Sequence, residues 1–288
     1  MNPSPDREPI HDGSNPMGME GIEYIEYRVA RPQAMGQVLE LMGFSPVARH
    51  RSREVLLYRQ GGMNVVINAH AGAGTHARPL PEVPEIAAVA LRVRDAAAAH
   101  ARALELGAWD VPVQVAPMEL HIPAIHGVGA SRLYFVDRHR EFSIYDVDFV
   151  PIPGVGREPP ALAGLHWFGL VQYIGPQRSD DWVAFYRELF GFAELGEDRE
   201  TGVLPAGRVL RSPDGSLQLQ LIEPDPLVTD VTERFQRVAL AAADVPAAAA
   251  ALRARGVEFI ETGRLHVEAR GALTRSWLGC LMFELVHA

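Results

Sequence analysis

The order strand, helix, antiparallel ribbon occurs twice in this chain, and a repeat on that scale narrows the fold more than any single motif. In the first copy, Gly21-Ile22-Glu23-Tyr24-Ile25-Glu26-Tyr27 reads as a strand and residues 32–42 as a helix opened by Pro32. Gly43-Phe44 stops that helix, and Leu56-Leu57-Tyr58 and residues 64–68 supply later strands. In the second copy, residues 164–174 form an apolar strand with His166 near its start. Residues 179–190 then place Trp182, Val183, Phe185, Tyr186, Leu189 and Phe190 at helical spacing behind a Ser179 cap. Gly191-Phe192 is the stop, and residues 203–211 and 216–222 make a ribbon about the turn Ser212-Pro213-Asp214-Gly215. Leu41-Met42-Gly43-Phe44 and Leu189-Phe190-Gly191-Phe192 can be laid over each other.

A second unit also recurs. Ile86-Ala87-Ala88-Val89-Ala90-Leu91, Asp95 and an alanine-rich helix to Gly107 match Phe235-Gln236-Arg237-Val238-Ala239-Leu240, Asp244 and a helix to Gly256. Residues 142–149 line up with residues 280–287, which sets Asp146 opposite Glu284. The expected fold is α+β, four βαβββ modules paired into two half-barrel domains at 20–150 and 164–288. Residues 1–19, polar and with Pro3, Pro5, Pro9 and Pro16, are expected to be a disordered leader, and the proline-bearing stretch 151–163 a linker.

Composition excludes several functions. A content of 48% hydrophobic and 22% charged residues is that of a globular chain. A net charge of −9 without a Lys/Arg stripe argues against nucleic-acid and anionic-membrane partners. The single cysteine, Cys280, rules out an internal disulfide and sits in an apolar stretch, as a core residue would. No apolar run reaches spanning length and the first residues lack a signal-peptide core, so the expectation is a cytoplasmic protein, with homo-oligomerisation left open.

Arg49-His50-Arg51-Ser52, Leu57-Tyr58-Arg59-Gln60-Gly61, Pro117-Met118-Glu119-Leu120, Gly127-Val128-Gly129 and Ser143-Ile144-Tyr145-Asp146-Val147-Asp148-Phe149 together resemble the N-terminal half of bacterial 4-hydroxyphenylpyruvate dioxygenases. These belong to the vicinal oxygen chelate (glyoxalase/bleomycin resistance) superfamily. The likeness runs over residues 21–151, and residues 182–192 resemble the family's WxxFYxxLFxF helix. It implies a metal site confined to the C-terminal half, where two histidines and a carboxylate hold Fe(II) and leave positions for an aromatic 2-oxo acid and dioxygen. It also implies a role in aromatic amino acid metabolism.

Carried over residue by residue, His166 stands at the family's first histidine and Glu284 at its glutamate. The second histidine should follow Gln236, but Arg237 stands there. A guanidinium has no lone pair to give, so Arg237 is expected to pair with Glu284 instead of binding metal. His266 is the remaining candidate for a third ligand. Gln236, Arg237 and Arg275, the last in a stretch replacing one that carries a pocket glutamine, are expected to contact substrate. The family's substrate-side serine and asparagine align with Gly207 and Ile222. With the sequence ending at Ala288, the helix that closes the family's site is expected to be missing. In the N-terminal half the repeat pairs His166, Arg237 and Glu284 with Glu23, Ala88 and Asp146.

Three functions follow. One is a 4-hydroxyphenylpyruvate dioxygenase-like enzyme acting on an aromatic 2-oxo acid or related carboxylate. Another is a metal-independent relative in which His166, Arg237 and Glu284 bind substrate and move protons. The third is a non-catalytic small-molecule-binding protein on the same fold.

Overall fold

A computed structural model describes residues 14–72, 79–112, 120–139, 142–196, 207–227, 229–260 and 271–288. The first half contains β1 (Met19–Arg28), α1 (Pro32–Leu41), β2 (Ser45–His50), β3 (Val55–Gln60), β4 (Met63–Asn68), β5 (Glu85–Val93), α2 (Ala96–Glu105), β6 (Ala124–His126), β7 (Arg132–Val136), α3 (Ile144–Asp148) and β8 (Phe149–Pro151). The second contains β9 (His166–Tyr173), α4 (Ser179–Phe190), β10 (Ala193–Glu194), β11 (Arg208–Arg211), β12 (Gln218–Ile222), β13 (Arg234–Ala242), α5 (Val245–Arg253), β14 (Gly271–Leu273) and β15 (Phe283–His287). Each half builds one sheet, ordered β6-β7-β5-β1-β4-β3-β2-β8 and β10-β11-β12-β9-β13-β15-β14.

The two sheets share one central layout, the first carrying β8 as an extra edge strand. In each, the central pair is antiparallel, β1 with β5 and β9 with β13, and a later strand joins each partner in parallel. Besides a skip at Glu20 that β9 does not share, the first strand skips one residue at a common place, Glu23 in β1 and Phe168 in β9, and its partner skips one further along, Ala87 in β5 and Gln236 in β13. Bulges of this kind re-aim the side chains that follow them. Sharing both fixes the correspondence: Arg237 answers to Ala88, as the repeat predicts, and the partner of His166 is Gly21, not Glu23.

The strand answering to β15 is β7, because both run parallel to the long strand of their module, and Tyr134 pairs with Ala90 as Glu284 pairs with Ala239. The expected pairing of residues 142–149 with 280–287 is therefore corrected. Ser143 and Asp146 form a capping box that winds residues 144–148 into a short helix, so Asp146 lies on no strand.

Helix starts follow local chemistry. Asp95 and Asp244 accept from Ala98 N and Ala247 N, capping α2 and α5. Ser179 does not cap α4. Its N and Oγ both donate to Glu223 from the end of β12, which also accepts from Gln177 N. These bonds, that from the Ser179 hydroxyl foremost, hold the Glu223 carboxyl below its ordinary value, and the carboxylate caps the helix from outside. Gly191, at φ 75°, ends α4.

One apolar core runs through both halves, from Met35 and Leu39 of α1 and Met42 at its C-cap to Phe190 of α4 and Leu252 of α5. Phe135 and Phe190 stack across it with ring centroids 6.3 Å apart. A smaller cluster around Val47, Leu57 and Tyr145 lies within the first sheet. The predicted leader is shorter than expected at its C-terminal end. Met17 and Met19 are buried, and the Asn15 side chain bonds both the N–H and the carbonyl of Met19; residues 1–13 lie outside the described chain. The proline-bearing connection lies against the first half, where Gly61 N donates to Pro159 O and Leu162 N donates to Gln60 Oε1. Among the described residues no helix is long and apolar enough to cross a membrane.

Candidate functional site

The parallel pairing of β13 and β15 sets Glu284 level with Ala239, two residues from Arg237 on the same face of the strand. Arg237 Nε donates to Glu284 Oε2 at 2.8 Å, and both side chains are almost fully buried, at 3% and 1% exposure. This is the ion pair the sequence predicts. Isolated charges at that depth are too costly to keep, so the pair forms as a unit. Arg237 Nη2 is buried and has no hydrogen-bond partner among the described residues. Glu284, but not Arg237, borders a gap of about 20 Å³ together with Phe168, Gly169, Gln218 and Gln220.

The expected trio of His166, Arg237 and Glu284 does not assemble. His166 pairs with Ala241 at the start of β9, whereas Arg237 pairs with Val171, five residues on. That separation is about 15 Å along the strand. His166 is exposed, and its Nδ1 donates to the Gly164 carbonyl at 3.1 Å. The strand position level with Glu284 and Ala239 is Gly169, where a Cβ would come within 2.4 Å of Gln218 O, leaving no room for a ligand side chain.

The remaining candidates also disperse. Gln236 is the bulged residue of β13, and its Oε1 accepts from Arg234 Nε at 2.8 Å. Arg275 turns to the surface and pairs with Glu258 at 3.1 Å. His266 lies outside the described residues. Gly207, aligned with the family's serine, has φ +81° and lies so close to the Leu221 carbonyl that no side chain could be added there.

These residues do not fit Fe(II). Of the three positions carried over, Glu284 alone offers a lone pair at the site, and it is already engaged by a cation. Among the described residues no three of His, Cys, Asp and Glu stand close enough to hold a metal ion.

What sequence reading overlooks is in the first half. Glu23, 2% exposed at the β1 bulge, accepts from Arg92 Nε at 2.5 Å and Asn64 Nδ2 at 3.3 Å. A carboxylate within the apolar run Gly21 to Tyr27 was the available signal, since such a group is buried only with partners.

The duplicated βαβββ architecture with paired sheets defines a protein of the vicinal oxygen chelate, or glyoxalase, fold. Residues 13–150 match the family model described as "Hydroxyphenylpyruvate dioxygenase, HPPD, N-terminal", and residues 169–273 match the glyoxalase/bleomycin resistance protein/dioxygenase superfamily. The chain is 39% identical over 215 residues to 4-hydroxyphenylpyruvate dioxygenase from Pseudomonas sp. (strain P.J. 874), covering 73% of this chain and 59% of that protein. It is 32% identical over 271 residues to 4-hydroxyphenylpyruvate dioxygenase from Pseudomonas aeruginosa, covering 88% and 75%. The solved structure of a xylose isomerase-like TIM barrel/4-hydroxyphenylpyruvate dioxygenase fusion protein superimposes with TM-score 0.73 at 25% identity, over 98% of this chain and 51% of that one. The chain belongs to the 4-hydroxyphenylpyruvate dioxygenase family, and it spans about three-fifths to three-quarters of the length of these two dioxygenases.

Proposed function

We propose that this 4-hydroxyphenylpyruvate dioxygenase-like chain binds an aromatic 2-oxo acid, or a related small aromatic carboxylate, in its C-terminal half, and that Arg237 takes the ligand's carboxylate without iron. The observation that carries this reading is the guanidinium itself. It is buried, it commits Nε to Glu284, and its Nη2 meets no acceptor among the described residues. Leaving such a donor unmet costs about 1–3 kcal/mol, which an arriving carboxylate oxygen recovers. The relatives' printed names support the substrate class, since two of them are enzymes of 4-hydroxyphenylpyruvate.

The space beside Glu284, about 20 Å³, admits a group no larger than a water molecule. A whole aromatic acid therefore enters only if the β10–β12 edge moves outward. That edge is thin: β10 has two residues, both exposed, and among the described residues pairs with β11 alone.

The test uses the full chain. After incubation with Fe(II) and desalting, elemental analysis should find far less than a full iron complement, and 4-hydroxyphenylpyruvate should evoke no oxygen uptake. Tryptophan fluorescence should still report saturable binding of 4-hydroxyphenylpyruvate, weakened about tenfold or more in Arg237→Gln. Full iron loading with oxygen consumption would refute the iron-free reading. Undiminished binding by a folded Arg237→Gln protein would remove Arg237 from it.

A further inference from the structure

Among the described residues, an open space far larger than the gap beside Glu284 lies in the half to which the family resemblance assigns no metal site. A cavity of about 660 Å³ opens within the first sheet, against about 20 Å³ beside Glu284. The first figure is in the usual range for small-molecule sites. From its lining we infer that the N-terminal half binds a small hydroxylated carboxylic acid, its carboxylate on Arg59 and Arg92 and its hydroxyls on Asp146.

One wall is a continuous polar row. Arg92 Nε donates to Glu23 Oε2 at 2.5 Å, Asn64 Nδ2 donates to Glu23 Oε1 at 3.3 Å, and Arg59 Nε donates to Asn64 Oδ1 at 2.7 Å. Arg59 also lies over the Tyr145 ring, 5.4 Å from its centroid, which fixes the plane of its fork. Burial, together with the neighbouring Glu23 charge, raises the Tyr145 hydroxyl well above its ordinary value, so it stays neutral.

The guanidiniums are positioned but not used up. A guanidinium carries five N–H donors; Arg59 commits Nε to Asn64 and Nη1 to Arg157 O, and Arg92 commits Nε to Glu23 and Nη2 to Gly62 O at 3.5 Å. Both arginines line the cavity. Asp146 also lines the cavity; its carboxylate accepts from Ser143 N and Oγ, is held below its ordinary value chiefly by those bonds, and lies 3.6 Å from Arg157 Nη2. It is an ionised acceptor for hydroxyl groups. Val47, Ala48, Leu57, Phe149, Pro151, Pro159 and Pro160 supply the apolar part of the lining.

The repeat makes the same point. At the shared bulge the second half carries Phe168, an apolar side chain, where the first half carries a buried carboxylate with its cationic partner. A buried ion pair is often no more stabilising than an apolar filling of the same volume. What the pair does here is hold Asn64, and through it Arg59, in a fixed orientation toward open space.

Isothermal titration of the full chain with sodium gluconate as probe, matched for salt, tests this. Gluconate should bind one saturable site with a dissociation constant of about 1 mM or tighter. Glucitol, which keeps the hydroxyls and lacks the carboxylate, should bind about tenfold more weakly or worse. Arg59→Gln should weaken gluconate by a similar factor with circular dichroism unchanged, and Arg59→Lys should fall between. Failure of gluconate to saturate by about 10 mM overturns the proposal. So does glucitol binding equal to gluconate. Should Arg59→Gln unfold, Asp146→Asn, which alters the group assigned to the hydroxyls, takes its place, and unaltered gluconate affinity there overturns it too.

Discussion

Replacing Arg237 by methionine separates the two halves of the reasoning about the C-terminal site. Methionine keeps most of the volume and removes the charge, leaving Glu284 at 1% exposure with its guanidinium partner gone. Breaking one side of a buried pair typically costs about 3–5 kcal/mol, because the remaining charge is desolvated without compensation. For a chain of this size each kcal/mol moves the melting temperature by about 2–4 °C, so Arg237→Met should melt about 6–20 °C below wild type. Adding Glu284→Leu removes the carboxylate that has lost its guanidinium and fills the space with a branched apolar side chain. The double variant should recover most of the loss, to within about 1 kcal/mol of wild type or above it. Differential scanning calorimetry and urea titration of the four proteins in the cycle give the coupling directly. An Arg237→Met protein as stable as wild type would show that Glu284 is hydrated in solution, and the closed, metal-excluding pair would be wrong.

Arg237→His restores the family's residue without its geometry, because His166 sits level with Ala241; this variant should gain no stoichiometric Fe(II), as read by equilibrium dialysis with elemental analysis. Gly129→Ala should destabilise by about 1–3 kcal/mol in urea unfolding, since Gly129 has φ +60° and its Cβ would lie 2.3 Å from the Glu233 carbonyl of the other half. Burial raises the Glu26 carboxyl above its ordinary 4.5, the bond from Asn68 only partly opposing the shift. Its contribution is therefore full below the unfolded value and is lost as pH rises through the raised one. Glu26→Gln should flatten the melting-temperature profile above pH 4.5 and gain on wild type toward pH 8; parallel profiles would contradict the shift.

The apolar spacing of residues 179–190 and the repeated strand order were enough to set α4, the central strands of each half, the α+β class and the pairing of Arg237 with Glu284. Each rests on interactions that recur at fixed sequence intervals, or on two groups too costly to bury apart. The position of His166, the strand that answers to β15 and the polar row from Arg59 to Arg92 were decided by tertiary structure. A bulge shifts register by one residue without any fixed sequence mark, and the Ser143–Asp146 box turns a strand-like run into a helix. The row along the N-terminal cavity joins residues from β1, β3, β4 and β5, and only the folded sheet brings them within hydrogen-bonding distance, because strands adjacent in space are separated in sequence by up to 69 residues.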